Sequence, residues 1–134
     1  MNIEEGPVEL ARSDCISRLL TSQVGRIALS IRSLPMILPV SYRLDRDDVL
    51  VSTVAAPHVV ACVYRNVVTF QVDDVDFESG ERWSVSVTGL ARPATVISPA
   101  SELRSRSSAV LTARIDTAVM TGTRLATLAA SSRL

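Results

Sequence analysis

Short stretches in which apolar and polar residues alternate dominate the chain and predict β-strands. The clearest begins at Trp83, where positions 83, 85 and 87 are apolar and positions 84, 86 and 88 carry hydroxyl groups. Such a period of two is typical of a strand with one buried face. Six strands are predicted, at residues 26–31, 36–44, 49–54, 67–72, 83–94 and 109–115, and residues 117–128 are less regular.

Helical spacing of apolar residues is confined to short segments. Ser13 is a suitable N-cap for the first helix, and Gly25 marks its end. Pro57 suits the start of the second helix, and Ser98 caps the third. The predicted helices cover residues 14–22, 59–64 and 99–106.

Turn-forming residues separate the strands. We predict turns at Ser33-Leu34-Pro35 and at residues 45–48. Pro39 falls inside the second predicted strand and cannot donate a ladder hydrogen bond, so we expect it at a bulge or an unpaired edge position. Many short strands with few helices predict a mainly β fold, a closed or nearly closed six-stranded antiparallel barrel with short peripheral helices.

Composition fits one folded domain. The chain has 134 residues, of which 47% are hydrophobic and 21% charged, which excludes disorder by composition. We predict a single domain over residues 1–134, with residues 1–12 as an N-terminal arm. Acidic and basic residues number 14 each, and a net charge of zero argues against a nucleic-acid partner. All the basic residues are arginine.

Cysteine usage and hydropathy bear on the compartment. Cys15 and Cys62 are far apart and lie in no CxxC or Cys/His cluster, so neither a disulfide scaffold nor a zinc site is predicted. No signal peptide is recognisable, and no apolar run approaches the ~20 residues of a membrane span. We therefore expect a cytoplasmic protein without a membrane partner.

Few residues indicate chemistry directly, since no GxSxG, HExxH or glycine-rich phosphate loop is present. The single histidine, His58, has no acidic neighbour in sequence, and such a residue is more often structural than catalytic. The carboxylates at positions 73, 74 and 76 have a spacing that could hold a divalent ion. A solvated loop is the favoured interpretation, because the ligand spacing of an EF-hand is missing.

Three further side chains have two interpretations each. Trp83 is equally well explained as a core residue at a barrel end and as the wall of a pocket for a flat ligand. Arg26 and Arg43 could contact an anion, because a guanidinium fork matches phosphate geometry. Taken singly, each arginine is more simply a solvent-facing strand residue.

Four segments in order nevertheless resemble the pyridoxamine 5′-phosphate oxidase-like family, the flavin-binding split barrels. The segments are Val24–Ala28 (VGRIA), Pro35–Tyr42 (PMILPVSY), Val68–Asp76 (VTFQVDDVD) and Trp83–Gly89 (WSVSVTG). The resemblance extends over about residues 12–128. It implies a six-stranded split barrel that acts as a homodimer, with flavin mononucleotide (FMN) bound at the subunit interface and a small-molecule substrate.

The resemblance also implies which residues contact the flavin. In the family the second strand contributes backbone and side-chain contacts and ends in a basic residue, and the third ends in a hydroxyl group that contacts phosphate. A later strand places side chains near the flavin ring or the ribityl chain. The matching residues are Pro39, Val40, Ser41, Tyr42 and Arg43, then Ser52 and Thr53, then Trp83 and Ser84.

One departure from the family pattern concerns the phosphate. Where many members carry a basic pair or a single lysine before the middle helix, this chain has Pro57 and His58. A neutral histidine donates one hydrogen bond, whereas lysine offers a permanent charge and three donors. His58 is therefore a predicted cofactor contact, with weaker phosphate binding expected.

The sequence is consistent with three hypotheses. The first is an FMN-dependent oxidoreductase, in which the cofactor carries the redox step. The second keeps the barrel but binds a deazaflavin or haem, with His58 as a possible axial ligand. The third is a degenerate barrel that serves as a non-catalytic binding module.

Overall fold

A computed structural model describes residues 6–95 and 108–125 of the chain. Strands make up most of these residues, and the two helices are short. In chain order the elements are β1 (Val8–Glu9), α1 (Arg12–Leu19), β2 (Val24–Ile31), β3 (Leu34–Asp45), β4 (Asp48–Ala55), α2 (Pro57–Val63), β5 (Val67–Val75), β6 (Arg82–Pro93), β7 (Ala109–Asp116) and β8 (Met120–Leu125).

Six of the strands close into an antiparallel barrel. The ring runs β6-β5-β2-β3-β4-β7 and is closed by pairing of β7 with the far end of β6. The near end of β6 pairs instead with β8, and β8 pairs with β1, so both of these strands lie outside the ring. The predicted mainly β, six-stranded split barrel with short peripheral helices is thus confirmed.

Alternation of side chains along each strand fills the barrel. The predicted apolar face at positions 83, 85 and 87 of β6 points inward, whereas positions 84, 86 and 88 point outward and are half-buried. Burial of these inward residues is the main stabilising term, at about 25 cal/mol per Å² of apolar surface. The inward set includes Ile27, Leu29, Val40, Val49, Val51, Val68, Phe70, Val85, Val87, Leu111, Ala113 and Ile115.

Turn geometry corrects the predicted first hairpin. The turn is formed by Arg32 and Ser33, which have φ values of 51° and 68°, and not by Ser33-Leu34-Pro35. Positive φ at both central residues matches the twist of the flanking strands in a type I′ hairpin. Ile31 consequently pairs with Leu34, and β3 begins two residues earlier than its apolar pattern indicates.

The N-terminal segment also departs from prediction. Residues 8–9 of the expected arm form β1, and α1 begins at Arg12 after Ala11, without a side-chain cap from Ser13. Gly25 does not end this helix. It lies inside β2, opposite Val40, where β2 passes very close to β5.

Pro39 occupies the expected kind of position. It pairs with Arg26 of β2 on one side, whereas the pairing of β3 with β4 begins only at Ser41. The missing N–H of Pro39 therefore interrupts no hydrogen-bond ladder on the β4 side. β3 is an edge strand at this level and becomes a central strand two residues later.

The remaining predicted elements have mixed outcomes. The middle helix is present as α2 and begins at Pro57, two residues earlier than predicted. The less regular region 117–128 contains β8, which was not among the six predicted strands. The helix predicted at 99–106 lies outside the described residues. Neither described helix is long and apolar enough to cross a membrane.

Candidate functional site

A small cavity lies on the outer face of the barrel where β3, β4 and β7 run side by side. Its volume is about 160 Å³. Ser41 and Ser52 are cross-strand partners, and Ser52 in turn pairs with Thr112, so three hydroxyl residues form one row across the strands. Arg43 and Leu50 form the next row along the same face. The cavity thus joins a hydroxyl row to an apolar floor with a guanidinium at its margin.

Leu50 supplies the apolar floor of this cavity. It points away from the barrel interior, yet it is only 5% exposed. Its cross-strand neighbours are Arg43 on β3 and Arg114 on β7. The long side chains beside Leu50 cover most of its surface, and the part that remains keeps the base of the cavity apolar.

The two arginines beside Leu50 differ in their partners. Arg114 donates to Asp48 and to Asp45, each at 2.9 Å, and so ties β7 to the β3–β4 hairpin. Arg43 makes no hydrogen bond or ion pair with any residue that the structure describes. Arg114 is therefore committed to the fold, and Arg43 keeps its donors for a ligand.

The Arg114 contacts predict an acid-sensitive contribution to stability. Hydrogen bonding from Arg114 lowers the pKa of Asp45 below its ordinary value. A carboxylate with a lowered folded-state pKa stabilises the fold above about pH 4, and this stabilisation disappears as the pH falls through the folded pKa. Asp45→Asn should therefore lower the free energy of unfolding at pH 7, with a difference from the parent that shrinks below about pH 4.

Urea denaturation at several pH values measures that difference. The matched control is Asp47→Asn, because the Asp47 side chain in the same hairpin makes no described hydrogen bond or ion pair. A difference between Asp45→Asn and the parent that stays constant from pH 7 to pH 3 would contradict the role given to Arg114.

Val40 and Tyr42, predicted as flavin contacts, point into the barrel. The Tyr42 hydroxyl donates to the Leu19 carbonyl oxygen at 2.5 Å, and its ring packs edge-to-face on Phe70. Burial raises the pKa of Tyr42, so the phenol stays neutral. The side chain of Tyr42 therefore joins α1 to the barrel, while its backbone lines the cavity.

The other predicted contacts on this side are dispersed. Pro39 is exposed on the outer face of β3, and Thr53 pairs with Leu111 on the inward face of β4. His58 is exposed at the second residue of α2, which follows β4 directly. None of these three residues lines the cavity that contains Arg43. Their roles as cofactor contacts stay predictions.

Trp83 and Ser84 line a second cavity, of about 470 Å³, where the ends of β5 and β8 lie beside the start of β6. The indole of Trp83 is buried, with the guanidinium of Arg18 5.6 Å from the ring centre, a cation–π contact. Ser84 accepts a hydrogen bond from Gln71. Trp83 is therefore both a core residue at a barrel end and part of the wall of a cavity, as the two interpretations of its sequence position predicted separately.

Arg26 does not join Arg43 at the cavity, because residues on another side of the barrel bind its guanidinium. It donates to Gln71 at 2.9 Å and to Asp73 at 3.0 Å on the β2–β5 side of the barrel. The nearby carboxylates are used locally, because Asp74 accepts the Val75 backbone N–H and Asp76 caps the following loop. The described residues contain no group of three ligating side chains that could hold a metal ion.

Sequence reasoning missed three residues of the Arg43 cavity and its surroundings. Thr112 and Arg114 join it through pairing of β4 with β7, strands that are about sixty positions apart in the chain, whereas Leu50 joins it through pairing of β4 with β3. The apolar pattern identified both strands but not their pairing. A signal was present only in Leu50, whose position breaks the alternation of β4 by placing three apolar residues in succession.

Comparison with known proteins identifies the family. The model of the pyridoxamine 5′-phosphate oxidase family matches residues 11–129. No curated protein sequence matches the chain. A FAD-binding protein of Mycobacterium smegmatis is 28% identical, with a TM-score of 0.68 over 89% of this chain and 98% of that chain.

Two more distant solved structures share the fold. A FAD-binding protein of Mesorhizobium loti is 17% identical, with a TM-score of 0.69 over 91% of this chain and 98% of that one. A FAD- and haem-binding protein of M. smegmatis is 14% identical, with a TM-score of 0.64 over 91% of this chain and 74% of that one. With the family match over most of the chain, these likenesses agree with the split barrel described above. The chain is a member of the pyridoxamine 5′-phosphate oxidase family.

Proposed function

We propose that this protein is a flavin-dependent oxidoreductase that binds the FMN unit of its cofactor at the outer-face cavity, between the two subunits of a homodimer. The observation that carries the proposal is the meeting of Ser41, Arg43 and Ser52 at one cavity. These three residues come from separate positions of the family pattern, and the barrel brings them together. The flavin-binding relative at 28% identity supports the same assignment.

The size of the cavity supports binding between subunits. Ligand pockets commonly have volumes of about 300–1,000 Å³, and this one has about 160 Å³. Beside it, Val24 pairs with Ser41 and is 62% exposed, and Ile37 on the same face is 65% exposed. A second copy of the chain seated on this apolar face would cover both residues and supply the missing wall.

The side chains present fit a flavin nucleotide. When bound, the flavin supplies the redox chemistry, and the residues of the chain bind and orient it and exclude water. Leu50 keeps the base of the cavity apolar where the ring system would lie, and the hydroxyl row of Ser41, Ser52 and Thr112 offers donors to a polyhydroxyl chain or to phosphate. Arg43 offers a charged fork that takes the place of the basic pair replaced by Pro57 and His58.

The contribution of Arg43 can be separated from that of the rest of the site. Arg43→Gln should weaken FMN binding by about tenfold or more, because a hydrogen bond to a charged group contributes about 1.5–3 kcal/mol. Riboflavin lacks the phosphate, so its affinity should change little. Equilibrium dialysis with absorbance detection measures both dissociation constants.

Arg32→Gln is the matched control, since Arg32 is an exposed arginine at the tip of the β2–β3 hairpin, far along β3 from Arg43. Equal losses for FMN and riboflavin in Arg43→Gln would contradict the assignment of Arg43 to phosphate. A wild-type protein that binds no flavin would overturn the proposed function. Titration of the parent and of His58→Ala with haem and with a deazaflavin tests the two other cofactors.

A further inference from the structure

A second arginine without a described hydrogen bond or ion pair lies in the same row as Arg43. Across the outer face, Arg43 on β3 is opposite Leu50 on β4, and Leu50 is opposite Arg114 on β7. Arg114 is in turn directly opposite Arg92 on β6. The row therefore crosses four strands and contains three arginines around one leucine.

Two like charges directly opposite each other on neighbouring strands are normally destabilising. Here Arg114 is bound by the carboxylates of Asp45 and Asp48, which gives this group of three a net charge of −1. Arg43 and Arg92 flank the group and bring the row to a net charge of +1. The carboxylates thus make the close approach of Arg92 tolerable without using its donors.

Arg92 is exposed and makes no hydrogen bond or ion pair with any residue that the structure describes. Neighbouring strands lie about 4.8 Å apart, so Arg43 and Arg92 are separated by roughly 14 Å at the backbone. Their long side chains can reach toward each other over Leu50 and Arg114. Two cationic forks on one face, with an apolar floor beside one of them, match a ligand with more than one phosphate.

We propose that Arg92 is a specificity-determining residue that contacts the second phosphate of a flavin dinucleotide. FAD would then be bound more tightly than FMN. Arg43 would hold the phosphate of the FMN unit, and Arg92 the phosphate that follows it. This inference rests on the proposed flavin site and adds to it the class of flavin that the site selects.

The test measures the affinities of FMN and FAD by isothermal titration calorimetry in the wild-type protein and in three variants. The wild type should bind FAD more tightly than FMN. Arg92→Gln should weaken FAD binding by about tenfold and leave FMN binding within about twofold of the parent. Arg43→Gln should weaken both ligands, and Arg32→Gln neither.

Different failures point to different errors. If the wild type binds FMN and FAD equally, or if Arg92→Gln weakens both flavins alike, the role of Arg92 is overturned while the flavin site stands. If the wild type binds no flavin, both proposals fall. Circular dichroism and urea denaturation of Arg92→Gln establish that its fold matches that of the parent, so a loss confined to FAD reports the lost phosphate contact.

Discussion

Gly25→Ala is expected to destabilise the barrel by about 3 kcal/mol or more, because the added methyl group would overlap backbone as well as side-chain atoms. A Cβ at this position would lie 2.8 Å from the Gln71 carbonyl oxygen, 2.8 Å from the Phe70 ring and 3.0 Å from Val72. The Gln71 carbonyl belongs to β5 and cannot rotate away. The glycine of the VGRIA segment thus permits the close approach of β2 to β5 that helps to close the ring.

Urea denaturation at a fixed protein concentration measures this loss of stability. Gly6→Ala provides the matched control, since a Cβ there would meet nothing within 4 Å. A Gly25→Ala protein as stable as Gly6→Ala would show that β2 and β5 can separate at no cost, and the packing argument would then be wrong.

Gly122→Ala should also be strongly destabilising, by about 2–3 kcal/mol, but in a way that a second substitution relieves. Its Cβ would overlap the Cys15 sulfur and lie 3.3 Å from the Leu10 side chain. Cys15 is the buried residue through which α1 rests on β8, outside the barrel ring. The added methyl group would push α1 away from β8.

A double-mutant cycle tests that explanation. Cys15→Ala removes the sulfur and leaves room for the new methyl group, so Cys15→Ala/Gly122→Ala should be more stable than the sum of the single effects predicts, by about 1 kcal/mol or more. The cycle is measured by urea denaturation of the four proteins. Additive effects would place the damage elsewhere than at the contact between α1 and β8.

These packing positions and the proposed flavin site belong to different parts of the molecule. Gly25 acts on the contact between β2 and β5 and Gly122 on the contact between β8 and α1, whereas Arg43 and Arg92 lie exposed on the outer face of the barrel. We therefore expect the arginine variants to keep the fold and change ligand affinity. The glycine variants should lose stability first.

Local patterns were sufficient where a structural property depends on near neighbours. Alternation predicted all six barrel strands, and the missing N–H of Pro39 correctly placed it where β3 has no partner on one side. Prediction was wrong where a distant contact decides the backbone. Gly25 resembles a helix stop in sequence, yet it serves a strand because β5 passes against it.

At the candidate site, too, local sequence patterns predicted some residues correctly, whereas distant contacts decided the role of others. Ser41, Arg43 and Ser52 were predicted because their sequence contexts resemble family motifs, and all three line one cavity. The sequence grouped Arg26 with Arg43 as possible anion contacts, but Gln71 and Asp73 bind Arg26 on another side of the barrel. The partner that an arginine finds depends on strand order, which one-dimensional periodicity does not contain.

The strand-rich class of this protein, the inward and outward faces of its strands and its family all follow from the amino-acid sequence alone. These properties depend on side-chain period and on short motifs, which are local. Which arginines keep their hydrogen-bond donors free depends instead on how the strands pair in three dimensions. Pairing of β7 with β4 and β6 brings Arg114 to Asp45 and Asp48 and leaves Arg43 and Arg92 on either side of it, because closing a barrel fixes the register of strands that are remote in sequence.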